Sequence, residues 1–346
     1  MGGVGFDEQR IDSAAVTGVR VRRVGVDSEF GELRSVVMRH AGPVTLDLSG
    51  SVDPVLARQR ETSRWGPYSP VRVRAQQDRF IDLLRGRGVE VVLAEQVPGS
   101  YGQHYTRDIG FVVDDVFVVS RLHSRRRQGE FAGVRRLVER IERVAYLDAG
   151  TIEGGDVMLH DGLVLVGLSE ETSPAGVDAL RYQLDRLGSD RTVRPIEFAC
   201  GGIVHLDDHF NIVAPEVALV HPGVFDDAQM RWFAAHFDLI PVTGEEAAAV
   251  EVNALALGPG VVVVAERSER IAAQLDARGI EVFPVDYSEV TRIPGGFRCS
   301  TLPLARASAV VPSPGGQQFE SGLGDSAAVD LDLQSAGAGG EFAAGC

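Results

Sequence analysis

A cysteine, a histidine and several carboxylates recur in this chain at regular intervals. Asp108, Asp156, Asp207 and Asn253 each head an apolar run, at spacings of 48, 51 and 46 residues, and Cys299 follows a further 46 along. Glu153 and His205 stand just ahead of Asp156 and Asp207. A cysteine thiolate attacks an electrophilic carbon and holds a covalent intermediate, provided that a nearby cation, bound or protein-borne, lowers its pKa. Carboxylates grip a planar cation such as guanidinium by paired, charge-assisted hydrogen bonds. A histidine donates a proton to a departing amine and then activates water. Taken singly, each of these polar residues could merely start a strand. Four in register with a cysteine call for a shared geometry.

The elements that must position them also repeat. After each opener the sequence reads as strand, tight turn and second strand. Helical stretches follow at Glu130–Arg143, Pro174–Leu187, Asp226–His236 and Ser268–Arg278, closed by short strands at Arg143–Leu147, Thr192–Ile196, Leu239–Val242 and Glu281–Pro284. A further unit fits Leu33–Arg39, Ala75–Arg87 and Val89–Leu93. Five ββαβ units of about 45–50 residues predict an α/β closed radial array, a five-bladed propeller, because closure removes unprotected sheet edges. Equivalent positions in such a ring converge on its axis. Residues 1–25 read as a loose N-terminal segment, 26–306 as one catalytic domain and 307–346 as a disordered acidic tail, rich in Gly, Ser and Ala. Ser49 to Pro70 reads as a long loop.

Composition narrows the class. The formal net charge of −15 argues against a nucleic-acid partner. No apolar run approaches the roughly 18–20 residues of a membrane span, and the N-terminus lacks the pattern of a secretory signal. Three cysteines, Cys200, Cys299 and Cys346, build no disulfide framework, so a reducing cytoplasm is the expected compartment. All 34 basic residues are Arg, which reads as coding bias.

The motifs Thr106-Arg107-Asp108, Glu153-Gly154-Gly155-Asp156, His205-Leu206-Asp207 and Gly295-Gly296-Phe297-Arg298-Cys299 occur in that order. With the repeat, they resemble the guanidino-group-modifying enzymes of the pentein superfamily: arginine deiminases, dimethylargininases and amidinotransferases. The resemblance covers about residues 30–306. It implies Cys299 as nucleophile and His205 as general acid/base. Asp108 would bind the guanidinium, Glu153 would orient His205, and Asp207 would support either. It makes Asp156 a further guanidinium or structural contact and Arg127 a binder of the substrate's carboxylate. The implied substrate is a small cationic guanidino compound, arginine or a derivative, hydrolysed through a thiouronium-type adduct to a ureido product. No cofactor and no metal are called for, and a homodimer is allowed for.

One departure bears on specificity. Family hydrolases often carry Ser-Glu-Arg-Thr where this chain has Ser169-Glu170-Glu171-Thr172, so Glu171 replaces an arginine that meets the substrate carboxylate. Reversing a charge there changes recognition. Three alternatives stand beside the hydrolase. An amidinotransferase would pass the amidino group to an acceptor amine, although Cys299-Ser300-Thr301-Leu302-Pro303-Leu304 looks more hydrolase-like. A metallohydrolase would use His205, Asp207 and His209, alternating on a strand near Cys200. A non-enzymatic propeller protein would leave the Cys, His and carboxylate set unexplained.

Overall fold

The computed structural model describes residues 22–42, 69–100 and 102–308. Expectations for the two terminal segments therefore fall mostly outside the described residues, as does most of the Ser49–Pro70 loop. Within the described N-terminal part, Arg22 and Gly25 form isolated β-bridges to Ile141 and Ala305.

Fifteen strands are present among the described residues: β1 (Leu33–Met38), β2 (Glu90–Leu93), β3 (Gly110–Val113), β4 (Val116–Val119), β5 (Val144–Tyr146), β6 (Val157–His160), β7 (Leu163–Gly167), β8 (Thr192–Ile196), β9 (Phe210–Ala214), β10 (Val217–Val220), β11 (Asp238–Pro241), β12 (Leu255–Gly258), β13 (Val261–Ala265), β14 (Glu281–Val285) and β15 (Leu302–Arg306). They form five three-stranded sheets, ordered β3-β4-β5, β6-β7-β8, β9-β10-β11, β12-β13-β14 and β15-β1-β2. In each, the first pair is antiparallel and the second parallel. The fifth sheet borrows its antiparallel strand, β15, from the end of the chain.

The architecture is thus α/β, but the predicted closed five-bladed propeller is corrected. The strands stay in five separate open sheets, and none closes on itself. Closure was inferred from the need to protect edges, and the chain meets that need locally. The outer strands β2, β5, β8, β11 and β14 are three to five residues long. All but the three-residue β5 carry charge, at Glu90, Arg194, Asp238 and Glu281, and β8, β11 and β14 also hold prolines at 195, 241 and 284. Short strands bearing charge and proline resist edge pairing without any ring.

Local chemistry explains the units. The β6–β7 hairpin turns at Asp161-Gly162, both with positive φ, as a two-residue hairpin turn demands. Ser69 and Ser173 cap α1 (Pro70–Gly86) and the Pro174–Arg186 helix by accepting from Arg72 and Gly176 backbone N–H groups, each with a proline in the first turn. The stretch predicted as one helix from Glu130 is a 3-10 segment, Gln128–Val134, followed by a single α-turn, Arg135–Val138. The inner strands β3, β4, β6 and β9 are buried throughout, so their side chains fill apolar clusters on both faces. Among the described residues no helix is long and apolar enough to cross a membrane.

Candidate active site

The functional side chains sit on turns that lead into strands, not on the strands. Thr106–Ile109, Gly154–Asp156 and Leu206–Asp208 are 3-10 turns placed directly before β3 and β6 and just before β9. These turns carry Asp108, Asp156 and Asp207. His205 is the N-terminal flank of the third turn, so the expected alternation of His205, Asp207 and His209 along one strand does not occur. His209 instead faces His221, Nδ1 to Nδ1 at 3.2 Å, and burial followed by the His221 neighbour pushes it down to about 3.

Cys299 is buried. Its Sγ receives a hydrogen bond from Asn253 Nδ2 at 3.0 Å, and its backbone N–H donates to Asn253 Oδ1 at 2.9 Å. Asp207 lies 3.7–3.8 Å from the sulfur and accepts from Arg298 Nη1 at 2.8 Å. Arg298 is itself held by Glu29 and by the Val157 carbonyl. Burial, then the charges of Asp207, Asp208 and Asp108, push the Cys299 thiol well above its ordinary value. Both causes favour the neutral thiol over the thiolate.

His205 faces the other carboxylates. Its Nε2 is 3.1 Å from Glu153 Oε2, and its Nδ1 is 3.7 Å from Asp108 Oδ1. Burial alone would push this imidazole down, but Asp108, Glu153 and Asp156 outweigh it and hold the imidazolium well above the usual histidine range. Glu153 is fixed at its second oxygen by the His123 backbone N–H. Close approach demands the two glycines between Glu153 and Asp156. A Cβ on Gly155 would lie 2.7 Å from the His205 ring, and one on Gly154 would lie 2.1 Å from the Arg107 carbonyl.

Five of the predicted residues, Cys299, His205, Glu153, Asp108 and Asp207, come together around one buried centre. Asp156 does not face it in the same way. Its carboxylate accepts from Ser169 Oγ and Thr172 Oγ1, both at 2.6 Å, and from the Leu206 N–H at 2.9 Å. Asp156 therefore ties the 169–172 segment to the turn bearing His205. Glu171 lies buried on that same segment, its backbone N–H donating to Ser169 Oγ. Arg127, expected at the substrate's outer end, is buried against Asp108, at 2.8 Å, and Glu130, at 2.9 and 3.1 Å.

Sequence reading missed Glu130, Asp208 and Arg298 as site residues and left Asn253 without a role. Arg298 and Asp208 each adjoin a predicted residue in sequence, and Glu130 lies one helical turn after Arg127, which were the available signals. Burial and then Asp207 push Asp208 up to about 8.

Among the described residues, two groups of donor atoms lie close enough to hold a metal ion, Asp108–Glu153–His205 and His205–Asp207–Asp208. In the first, Arg127, the His123 N–H and the His205–Glu153 contact already occupy three of the four carboxylate oxygens. That arrangement suits a hydrogen-bonded acid–base pair. Neither group includes His209 or Cys200.

Comparison with known proteins adds relatives. Residues 59–306 match the sequence profile of the family described as N,N dimethylarginine dimethylhydrolase, eukaryotic. The uncharacterized protein YkgA of Bacillus subtilis is 32% identical over 233 residues, covering 67% of this chain and 79% of its own length. The arginine deiminase of Rhodococcus erythropolis is 25% identical over 408 residues, covering 82% and 97%. Among solved structures, SxtG, an amidinotransferase of the saxitoxin pathway from Microseira wollei, superposes with a TM-score of 0.70 at 18% identity, covering 82% of this chain and 98% of its own. The dimethylarginine dimethylaminohydrolase of Pseudomonas aeruginosa, crystallised with citrulline, gives a TM-score of 0.66 at 18% identity, covering 79% and 99%. At such identities the structural likeness speaks for the fold alone.

Proposed function

Because the chain belongs to the N,N-dimethylarginine dimethylhydrolase family, within the pentein superfamily of guanidino-group-modifying enzymes, we propose that it hydrolyses the guanidino group of arginine or an arginine derivative through a covalent adduct on Cys299. The observation that carries this reading is the setting of Cys299 Sγ, which Asn253 contacts and Asp207 flanks, with His205 close to Asp207 in the same cluster. A guanidinium entering between Asp108 and Asp207 brings a positive charge to a thiol that carboxylates hold protonated. The cation offsets those charges, the thiol proton passes to solvent, and the thiolate forms beside its target.

Sγ then bonds to the guanidinium carbon. One C–N bond breaks, and the departing nitrogen takes the proton of the His205 imidazolium, leaving as ammonia or an alkylamine. Neutral His205 accepts a proton from water, whose oxygen bonds to the thiouronium carbon. The C–S bond breaks, the remaining hydroxyl proton is shed, and a ureido product departs. Glu153 keeps the imidazole oriented through both transfers. The residues named form no demand for a cofactor.

The test is turnover and product mass with arginine, methylated arginines and agmatine, with and without an acceptor amine. A ureido product unaffected by the amine supports the hydrolase. A new guanidine on the acceptor means amidino transfer. Cys299→Ser should abolish turnover while the melting temperature stays near that of the wild type. Substantial residual activity in that variant would remove the covalent route.

A further inference from the structure

The expected partner of a substrate carboxylate, Arg127, is already committed. Its guanidinium makes five hydrogen bonds inside the protein: Nε and Nη2 to Glu130, Nη1 to Asp108, and Nη2 to the carbonyls of Gly102 and Tyr105. Glu153 lies 3.8 Å from Nη1. Of its five N–H groups, one on Nη1 is left, and it faces that carboxylate. A substrate carboxylate reaching this guanidinium would have to displace buried charge-assisted bonds and enter beside Glu130, Asp108 and Glu153.

The same bonds have a consequence for Asp108. Arg127 fixes Oδ2, while Oδ1 is buried without a hydrogen-bond partner, with His205 Nδ1 3.7 Å away. A buried carboxylate oxygen with no donor is costly, unless a ligand supplies one. Glu130, fully buried, holds Arg127 from the opposite side through two oxygens. The Glu130–Arg127 pair therefore sets which oxygen of Asp108 is presented.

We propose that Arg127 is a positioning residue for Asp108 rather than an anchor for a substrate carboxylate, and that the site takes guanidines whose outer end carries no carboxylate. This rests on the reading above that Asp108 receives the guanidinium. Glu171, buried on the segment that Asp156 ties to the His205 turn, stands where an arginine was expected, so a substrate carboxylate finds no second guanidinium there.

Calorimetric binding to the Cys299→Ser protein tests this with arginine, argininamide and agmatine as probes. Agmatine and argininamide should bind at least about tenfold more tightly than arginine. Adding Arg127→Lys should weaken all three by the same factor. In the active protein Arg127→Lys should lower kcat about a hundredfold on every guanidine without changing the ratio of their KM values. Glu130→Gln gives a second route if that variant does not fold. By loosening Arg127 it should shift preference toward arginine. Arginine binding as tightly as agmatine, or an Arg127→Lys loss confined to arginine, overturns the proposal and leaves the hydrolase reading intact. The stated binding preference without turnover of any guanidine would keep the proposal and discard hydrolysis. Failure to bind any of the probes overturns both.

Discussion

Asp108 and Asp156 occupy matching places in successive units, each in a 3-10 turn immediately before an inner strand, yet their carboxylates are spent differently. Asp156 has three donors from its own protein, Ser169, Thr172 and the Leu206 N–H. Asp108 has Arg127 on one oxygen and no hydrogen bond on the other. Position in a repeat thus brings a residue to the centre, and only its supply of donors decides whether it is left for a ligand. One carboxylate is tied into the protein by three donors, and the other keeps an oxygen without one.

Substituting the two residues should separate those roles. Asp108→Asn keeps an acceptor for Arg127 but removes the charge facing a guanidinium. A hydrogen bond to a charged group is worth about 1.5–3 kcal/mol, so kcat/KM should fall about a hundredfold with little change in melting temperature. Asp156→Ala leaves three donors without their acceptor and should cost about 3 kcal/mol of stability, read as a melting temperature lower by several degrees. The comparison breaks if the effects are exchanged. Asp156 also has a pH signature. Burial pushes its carboxyl up to about 7 from an ordinary 3.8, against the pull of His205 and its hydrogen bonds. Its contribution to stability is fully present below the unfolded value and is lost as pH rises through about 7. Asp156→Asn should flatten the dependence of melting temperature on pH across that window.

The legible part of the site was its spacing. The intervals from Asp108 to Cys299 placed five residues at equivalent points, and Thr192–Ile196 was bounded as the structure has it, because alternation and turn residues are local signals. Closure of the sheets was not legible. Edge protection has more than one solution, and the charged, proline-bearing outer strands were a local solution already visible in the sequence. The turns were misread as strand starts because a 3-10 segment of three or four residues leaves no periodicity. Nor could spacing show that Asp156 is consumed, since its hydroxyl donors lie 13 and 16 residues further along. The commitment of Arg127 to Glu130 had a helical-spacing cue, three residues, but not the cue that both would be buried.

Glu171 sharpens the comparison from the substrate's far end. It lies on the segment that Asp156 secures, so a change there alters recognition while leaving Asp108 in place. With Arg127 committed, Glu171→Arg supplies a cation for a carboxylate-bearing substrate. The specificity constant for arginine should rise about tenfold, the worth of one charge-assisted hydrogen bond at the lower end of its range, while that for agmatine falls. An unchanged or lower constant for arginine would mean that Glu171 does not face the outer end.

The smallest expected effect concerns the proton that His205 carries. Asp108 and Glu153 both raise this imidazole against its burial, but Glu153 does so through a direct hydrogen bond to Nε2 as well as by charge. Glu153→Gln would keep an acceptor for the His123 N–H and present an amide N–H toward Nε2, favouring the neutral ring. The pKa of His205 should therefore fall, and the sign is unambiguous: removing an anion and adding a donor both disfavour the imidazolium. Loss of a charged hydrogen bond worth about 1.5–3 kcal/mol corresponds to about one to two pH units. Because the wild-type value is well above the ordinary range, enough imidazolium should remain near neutrality for turnover there to change little. The alkaline limb of kcat should move to lower pH by that amount, and the histidine ring resonances should titrate with it. If the limb stays where it is while the ring resonances move, the proton that limits turnover belongs to a group other than His205. Asp108 would then act on the substrate alone.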